Sequence, residues 1–389
     1  MIAIIGAGPA AMGAAIAIGK NAVMLERNPV PGKKLLLSGK GQCNFTNACD
    51  SEAFLRALAE FRNWLKPAFY AFDNRAFIRL LEDAGCPVLI RDDDKVFPQS
   101  MKAGDVRDTL LKIALGGGAS LITDCRITHI EAVSDGFRLV AANGKRYQAR
   151  KIIIAAGGAA WPLTGSDGSS YRLAASLGHR VLKPRPALAS VRIKDYSPFS
   201  ACAGIALKTR MSFGKNRAEG DLLFTHTGFS GPVILNNSRF LQVDDQIRLL
   251  LADGSALSAL LRRHPKKQLS SILPMLALPQ SLAFAICRHL KIPAGTMAAE
   301  LQASPRKLLE SWLGSAPFRI SALESLATAM SDFGGVDLKE VNTKTMQSRL
   351  TPGLFFAGES LAYSLPTGGF SIQMAFSTGY LAGKNVNSI

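Results

Sequence analysis

The chain opens on an unbroken apolar run, Ile2-Ala3-Ile4-Ile5, which passes directly into Gly6-Ala7-Gly8-Pro9-Ala10-Ala11. A short run of that kind, bounded by turn residues, predicts a strand buried on both faces. The alanine-rich apolar segment that follows predicts a helix, and Ala22-Val23-Met24-Leu25 predicts a second strand, ending on Glu26. Residues 28–50 break the pattern with a polar, glycine-rich excursion. Two amphipathic helices are expected near 51–62 and 73–84, the second capped by Asp73. Short strands are expected at 88–91 and around Val96-Phe97, and a helix over 103–115. Runs at 119–123, 126–132, 136–142 and 146–149 have the spacing of a β-meander. Lys151-Ile152-Ile153-Ile154-Ala155-Ala156-Gly157-Gly158 is a further buried strand running into glycines.

Past residue 183 the texture changes. Alternating segments near 188–194, 204–213 and 246–251 point to a β-rich region. Residues 255–315 are rich in Leu and Ala, and prolines at 265, 274, 279, 293 and 305 divide them into short helices. From 331 the glycines return: Thr351-Pro352-Gly353-Leu354-Phe355-Phe356-Ala357-Gly358-Glu359 is a strand ending in Gly-Glu, and a last helix runs from Gly368 to about Lys384. The two chain ends share a texture, as expected if they build one α/β domain together.

Composition narrows the class. With 389 residues and 48% hydrophobic content, the chain is globular and large enough for two or three domains. No apolar run reaches the roughly 18–20 residues that span a bilayer, so no membrane partner is expected. The N-terminus lacks the basic start of a signal peptide. None of the six cysteines forms a C-x-x-C pair, which fits a reducing, cytoplasmic setting and argues against a dithiol flavoenzyme. The net charge of +17 leaves two readings open, a basic soluble surface or a polyanionic partner such as RNA. Between 183 and 270 there are 14 Lys and Arg against 6 Asp and Glu, densest at Arg262-Arg263-His264-Pro265-Lys266-Lys267.

The first 26 residues carry the sharpest chemistry. Strand, glycine turn, helix, strand and an acid 20 residues after the first glycine is the order of a dinucleotide-binding βαβ unit. Gly6 permits the tight turn, Gly8 lets backbone approach a pyrophosphate, and Ala11 replaces the third glycine. The helix N-terminus offers free N–H groups to phosphate, and Glu26 can accept from ribose hydroxyls. Three glycine-marked strand ends, after 5, 154 and 357, suit one extended cofactor crossing the sheet edge, FAD rather than NAD. Two side chains are candidate proton donors, His226 in Phe224-Thr225-His226-Thr227-Gly228, and Cys43. The alternatives are a structural turn histidine and a buried small hydrophobe. Tyr363, His129, His179, His264 and His289 read as structural. No spacing suits a metal site, a Walker lysine or a nucleophile elbow.

Three longer stretches complete the picture: Gly32-Lys33-Lys34-Leu35 with Ser38-Gly39-Lys40-Gly41-Gln42-Cys43-Asn44-Phe45-Thr46-Asn47; Leu223-Phe224-Thr225-His226-Thr227-Gly228-Phe229-Ser230-Gly231-Pro232; and Gly353 to Glu359 with Thr367-Gly368-Gly369-Phe370. Together with the N-terminal fingerprint they resemble the BaiN/RdsA-type (YhiN-like) family of FAD-dependent oxidoreductases, from residue 1 to about 385. The resemblance implies a Rossmann-like FAD-binding domain (1–184 and 335–389) interrupted by a β-rich substrate domain (185–254 and 317–334) with a helical insert (255–316). It implies that Gly6, Gly8, Pro9, Ala10 and Ala11 cradle the pyrophosphate and that Glu26 and Arg27 lie at the adenosine, with Ile127 near adenine. Lys34, Leu35, Ser38, Gly39, Gly41, Cys43 and Asn44 would wrap the middle of the cofactor, along with Ala156, Gly157, Gly158, Gly358 and Glu359. Gly368, Gly369, Phe370 and Ser371 would face the flavin pyrimidine, where a helix dipole stabilises negative charge. This chain departs from the family pattern at Gln42, Ala362 and Asp167-Gly168-Ser169-Ser170-Tyr171. The implied activity is reduction of an activated C=C bond, in a uracil ring of ribosomal RNA or a small enone. NAD(P)H would be a transient reductant, since no second fingerprint is present. The alternatives are a flavin oxidase of a small amine or ketone, and a non-catalytic FAD-containing RNA-binding protein. Oligomeric state stays open, with a monomer compatible.

Overall fold

A computed structural model describes residues 1–387. Met1–Pro186, together with the chain from Leu326 onward, forms one compact unit, and Ala187–Ser325 forms a second.

The first unit is organised by a five-stranded parallel sheet in the order Leu354–Phe356, Lys151–Ile154, Ile2–Ile5, Ala22–Leu25, Ser120–Ile122. Parallel strands covered on both faces must be apolar throughout, and the residues of Ile2–Ile5 and Leu354–Phe356 are all buried. The register puts Ile5 opposite both Ile154 and Leu25, and Ile154 opposite Phe356. Their carboxyl ends therefore lie in one row, from which Gly6, Glu26, Ala155 and Ala357 emerge.

Two helices pack backbone to backbone beside the sheet, Pro9–Ile18 and Phe370–Val386. A Cβ on Gly379 would meet the Ala10 carbonyl, one on Gly383 the Ala14 carbonyl, and one on Gly13 the Phe376 carbonyl, 2.5 Å away. Only glycines allow that approach. The pairings 10 with 379 and 14 with 383 also make the two helices parallel.

Several expectations are corrected. The run at 119–123 joins the parallel sheet as its edge, so the antiparallel meander has three strands, Ile127–Val133, Gly136–Ala141 and Arg146–Ala149. The helix expected over 51–62 is Ser51–Ala57, and a separate helix follows at Arg62–Ala71. Pro67 lies inside that second helix, where proline costs a hydrogen bond; burial of Leu65, Ala68 and Phe69 offsets the loss. Asp73 does cap Asn74–Asp83, accepting from Ala76 N at 2.7 Å.

The second unit is a closed six-stranded barrel, in the order Val191–Ile193, Gly228–Ser230, Asn216–Phe224, Ala206–Phe213, Gln246–Leu249, Ala316–Leu323. The helices of 254–314 share its core. Leu257, Leu282, Ile286 and Trp312 are buried in one cluster with Phe224, Phe229 and Phe318, so the helical stretch has no separate core. Pro305 falls in the first turn of Ala303–Gly314, a position that tolerates proline, and does not break that helix. The chain re-enters the first unit at Leu326 rather than 335, because Ser331–Val336 pairs with Val181–Ala187 there. Among the described residues, no single helix is long and apolar enough to cross a membrane, and no cluster is placed to hold a metal ion. All six cysteines are free.

Candidate cofactor site

At the row of strand ends a tight glycine turn meets a helix N-terminus. Gly6 has φ +108°, and a Cβ there would sit 2.7 Å from the Ala155 carbonyl oxygen, so the turn requires glycine. Gly8 is the N-cap of Pro9–Ile18 in extended conformation; it has no side-chain cap, and a Cβ there would meet nothing within 4 Å. Open space thus lies over an uncapped helix N-terminus, the arrangement that binds anions. Pro9, at the first helical position, gives up an N–H that the helix does not use. Ala10 touches the third strand end: its Cβ lies 2.8 Å from where a Cβ on Gly358 would be.

The last helix presents a second uncapped N-terminus at Gly369, φ +95°. Asn44 ties it to the 38–47 loop: its amide donates to the Val96 and Thr46 carbonyls and accepts from Gly369 N at 3.1 Å. Gly368 is also left-handed, at φ +119°, while Phe370 packs on Phe54 at 4.8 Å and Ser371 lies in the first turn. Since the two helices run parallel with Ala10 beside Gly379, their N-termini are offset by about 12 Å along the axis, at 1.5 Å per residue.

Glu26 is buried at the end of Ala22–Leu25. Its Oε1 accepts from Asn28 N and Asn28 Nδ2 at 2.9 and 2.8 Å, and its Oε2 accepts from Ala7 N at 2.8 Å. Burial raises its carboxyl above the usual value, against the pull of these bonds. Glu26 therefore fixes the Gly6–Gly8 turn, and one lone pair of Oε2 remains for a ligand hydroxyl. Arg27 donates to the Gly165 carbonyl at 3.1 Å and pairs with Asp167 at 2.8 Å. Burial alone would raise Asp167, but hydrogen bonds from Arg27 and Ser169 and the Arg27 charge bring it down to about 2. Cys125 N donates to the Glu26 carbonyl at 2.8 Å, which sets buried Ile127 close to this end.

Lys34 reaches Glu359 at 2.7 Å, and Glu359 also accepts from Ser331 Oγ at 2.9 Å. Leu35 is buried, and Ser38 Oγ donates back to its carbonyl at 2.6 Å. Gly39, Lys40, Gly41 and Cys43 all have positive φ, so the loop winds tightly. Ala156 is half-buried, and Gly157 has φ +77° with its carbonyl accepting from Ser170 Oγ at 2.5 Å. A Cβ on Gly158 would run into Asp332 Oδ1 and into Tyr171 Oη, the latter at 2.8 Å.

Of the two candidate proton donors, Cys43 belongs to this unit and His226 to the barrel unit. Cys43 is fully buried with Met12, Phe45 and Phe77, and burial pushes its thiol up to about 12. Those are the surroundings of a packing side chain rather than of a free thiol. His226 is exposed in the barrel unit, in a turn held by Thr225 Oγ1, which accepts from Gly228 N at 3.1 Å. Asp332 and Tyr171, by contrast, sit at the row of strand ends without having been expected there. Tyr171 lies in the departing 167–171 turn, but nothing local marks Asp332.

Residues 1–385 match the HI0933-like protein Rossmann domain family. The chain belongs to this family. It is accordingly an oxidoreductase on a Rossmann-type FAD-binding fold, in agreement with the expectation from its motifs. Two relatives align over nearly their whole lengths. The ribosomal RNA dihydrouridine synthase of Haemophilus influenzae is 28% identical, over 99% of this chain and 98% of that protein. The 3-dehydro-bile acid delta(4,6)-reductase of Clostridium scindens is 29% identical, over 98% of each. Among solved structures, the HI0933-like fold resembles 3-ketosteroid delta1-dehydrogenase from Sterolibacterium denitrificans, with TM-score 0.53, 11% identity, and coverage of 100% of this chain and 99% of that one.

Proposed function

We propose that this HI0933-like protein is an FAD-dependent, NAD(P)H-linked reductase of an activated C=C bond, and that its substrate is a uracil ring in ribosomal RNA. The observation that carries the cofactor assignment is the pair of parallel, uncapped helix N-termini, the first of them at the row of strand ends. Their offset of about 12 Å suits a pyrophosphate at one and a flavin pyrimidine at the other, joined by the ribityl chain. When bound, FAD supplies hydride transfer from a nicotinamide donor to the electrophilic carbon of the alkene.

The chain's own residues then have distinct tasks. Backbone N–H groups of the 8–11 turn hold the pyrophosphate, and Gly8 leaves it room. Glu26 Oε2 accepts from the adenosine ribose while Arg27 and Ile127 close that end. Lys34 brings positive charge to the middle of the cofactor, oriented by Glu359. The N-terminus at Gly369–Ser371 would offer N–H groups and a positive dipole to negative charge at the pyrimidine carbonyl. For the proton that completes reduction of the alkene, we propose His226 of the barrel unit as the donor.

Ribosomal RNA is favoured over a small enone by the net charge of +17 and by the dihydrouridine synthase relative. The test is dihydrouridine mapping of ribosomal RNA from a strain lacking this protein: one modified position is lost and returns on complementation. An unchanged map, with purified enzyme reducing a steroid-like enone, would overturn the RNA assignment. Rapid stoichiometric peroxide formation would point to an oxidase instead. The H226Q variant should keep the rate of flavin reduction by NAD(P)H and slow RNA turnover by about 100-fold.

A further inference from the structure

Ser331–Val336, where the chain has just returned from the barrel, carries a buried acid at its second position that no motif marks. Asp332 is 2% exposed, and its carboxyl joins two of the strand ends of the cofactor site. Oδ1 accepts from Ala159 N at 3.0 Å and Ala160 N at 3.3 Å, in the loop that follows Gly157-Gly158. Oδ2 lies 2.6 Å from Tyr171 Oη, and the same hydroxyl is 3.0 Å from the Glu359 carbonyl oxygen. Neighbouring Ser331 donates to the Glu359 carboxylate at 2.9 Å.

Counting protons decides how this arrangement is satisfied. A tyrosine hydroxyl has one proton, yet Tyr171 faces two oxygens. With Asp332 ionised, that proton goes to Oδ2, and the Glu359 carbonyl loses its partner. With Asp332 neutral, Oδ2–H donates to Tyr171 Oη, Tyr171 O–H donates to the Glu359 carbonyl, and Oδ1 still accepts both backbone N–H groups. Every group is then paired, as buried polar groups require. The surrounding charges agree. Burial raises the Asp332 carboxyl most, the Glu359 charge adds to the rise, and Tyr171 and Lys34 pull against it. Burial, with Asp332 and Glu359 beside it, also raises the Tyr171 phenol.

We propose that Asp332 is held as a neutral carboxylic acid and acts, through Tyr171, as the positioning residue that locks the 157–160 loop to the Gly358–Ser360 turn around the cofactor. The proposal rests on the reading that FAD occupies this row of strand ends. It carries a pH dependence. An acid raised above its ordinary 3.8 in the folded state stabilises fully below that value and loses its contribution as pH rises through the raised one. FAD retention should therefore weaken on the alkaline side.

Isosteric substitution separates the two charge states. In D332N the new amide nitrogen can donate to Tyr171 while the amide oxygen accepts from the loop, so the variant mimics the neutral acid and not the carboxylate. The expected result is an FAD dissociation constant within about twofold of wild type for D332N, without the alkaline weakening, and a loss of about tenfold for D332A and Y171F. An infrared carbonyl band of a protonated carboxylic acid should be present in wild type at neutral pH and absent in D332N. If D332N binds FAD as weakly as D332A, or the band is absent from wild type, the proposal is overturned. If D332A fails to fold, D332N and Y171F still decide. A wild-type protein that takes up no FAD would sink the cofactor reading, whereas the infrared band tests Asp332 regardless.

Discussion

Gly6 and Gly8 stand two residues apart in one turn, and replacing them should fail in different ways. At Gly6 the backbone is left-handed and a methyl group would lie 2.7 Å from the Ala155 carbonyl oxygen. G6A should cost about 1–3 kcal/mol of folding stability, read as a lowered urea midpoint in the FAD-free protein. At Gly8 the backbone is extended and the space is empty. G8V should cost at most about 1 kcal/mol, through a weaker N-cap, yet reduce FAD affinity tenfold or more. If G8V retains FAD like wild type, the space above that helix is not the pyrophosphate site. At this scale the sequence was most legible where chemistry needs a particular backbone shape. Gly6 and Gly369 have left-handed backbone with a neighbouring carbonyl under 3 Å from a Cβ, so the turn itself requires glycine there, whereas Gly8 is required only if a ligand fills the space above it. Cys43 stands in the glycine-rich 38–47 loop, but its side chain turns into the core, which the loop's sequence does not reveal. Asp332 was invisible because its partners, Ala159, Tyr171 and Glu359, come from three distant segments.

The elements were legible in proportion to how local their causes are. Ile2–Ile5, Ala22–Leu25 and Ala103–Gly116 follow from apolar runs and periodicity. The assignment of Ser120–Ile122 to the parallel sheet does not, because an edge strand and a meander strand share one pattern and only pairing with Ala22–Leu25 separates them. Nor does the contact between the first and last helices, which joins residues more than 360 positions apart. That contact sets the offset of the two N-termini, so disturbing it should reach the cofactor. G379A places a methyl group against the Ala10 carbonyl, where neither backbone can yield. It should destabilise by about 1–3 kcal/mol and weaken FAD binding, although residue 379 lies well beyond the first turn of its helix. G104A is the control. Gly104 also lies in a helix, but a Cβ there meets nothing within 4 Å, so the change should be neutral or stabilise by up to about 1 kcal/mol. Equal losses in both variants would mean that the loss in G379A does not come from the interhelical contact, since propensity alone favours alanine in both helices.

For the whole molecule, the informative quantity is where the positive charge resides. The barrel unit, 187–325, carries 17 Lys and Arg against 9 Asp and Glu, a net +8. The remaining residues carry +9 over nearly twice the length, so the barrel unit has the higher charge density. Its densest cluster is fully outward: Arg262, Arg263, Lys266 and Lys267 are all exposed, at and just beyond the C-terminus of Gly254–Arg263. Cations at a helix C-terminus gain little from the dipole once screened by salt, so folding alone gives weak reason to gather four there. A phosphate backbone gives a stronger one. Each phosphate neutralised releases condensed counterion, and four such contacts contribute a salt slope of about −3 on logarithmic axes. Replacing all four by glutamine should reduce the slope for ribosomal RNA binding by about that amount. The loss of affinity should be large at low salt and fade as salt rises. FAD content and the rate of flavin reduction should not change, because every residue placed at the cofactor belongs to the other unit. A variant that lost RNA affinity equally at all salt concentrations would have lost structure rather than phosphate contacts. One whose slope matched wild type would move the RNA surface elsewhere on the protein.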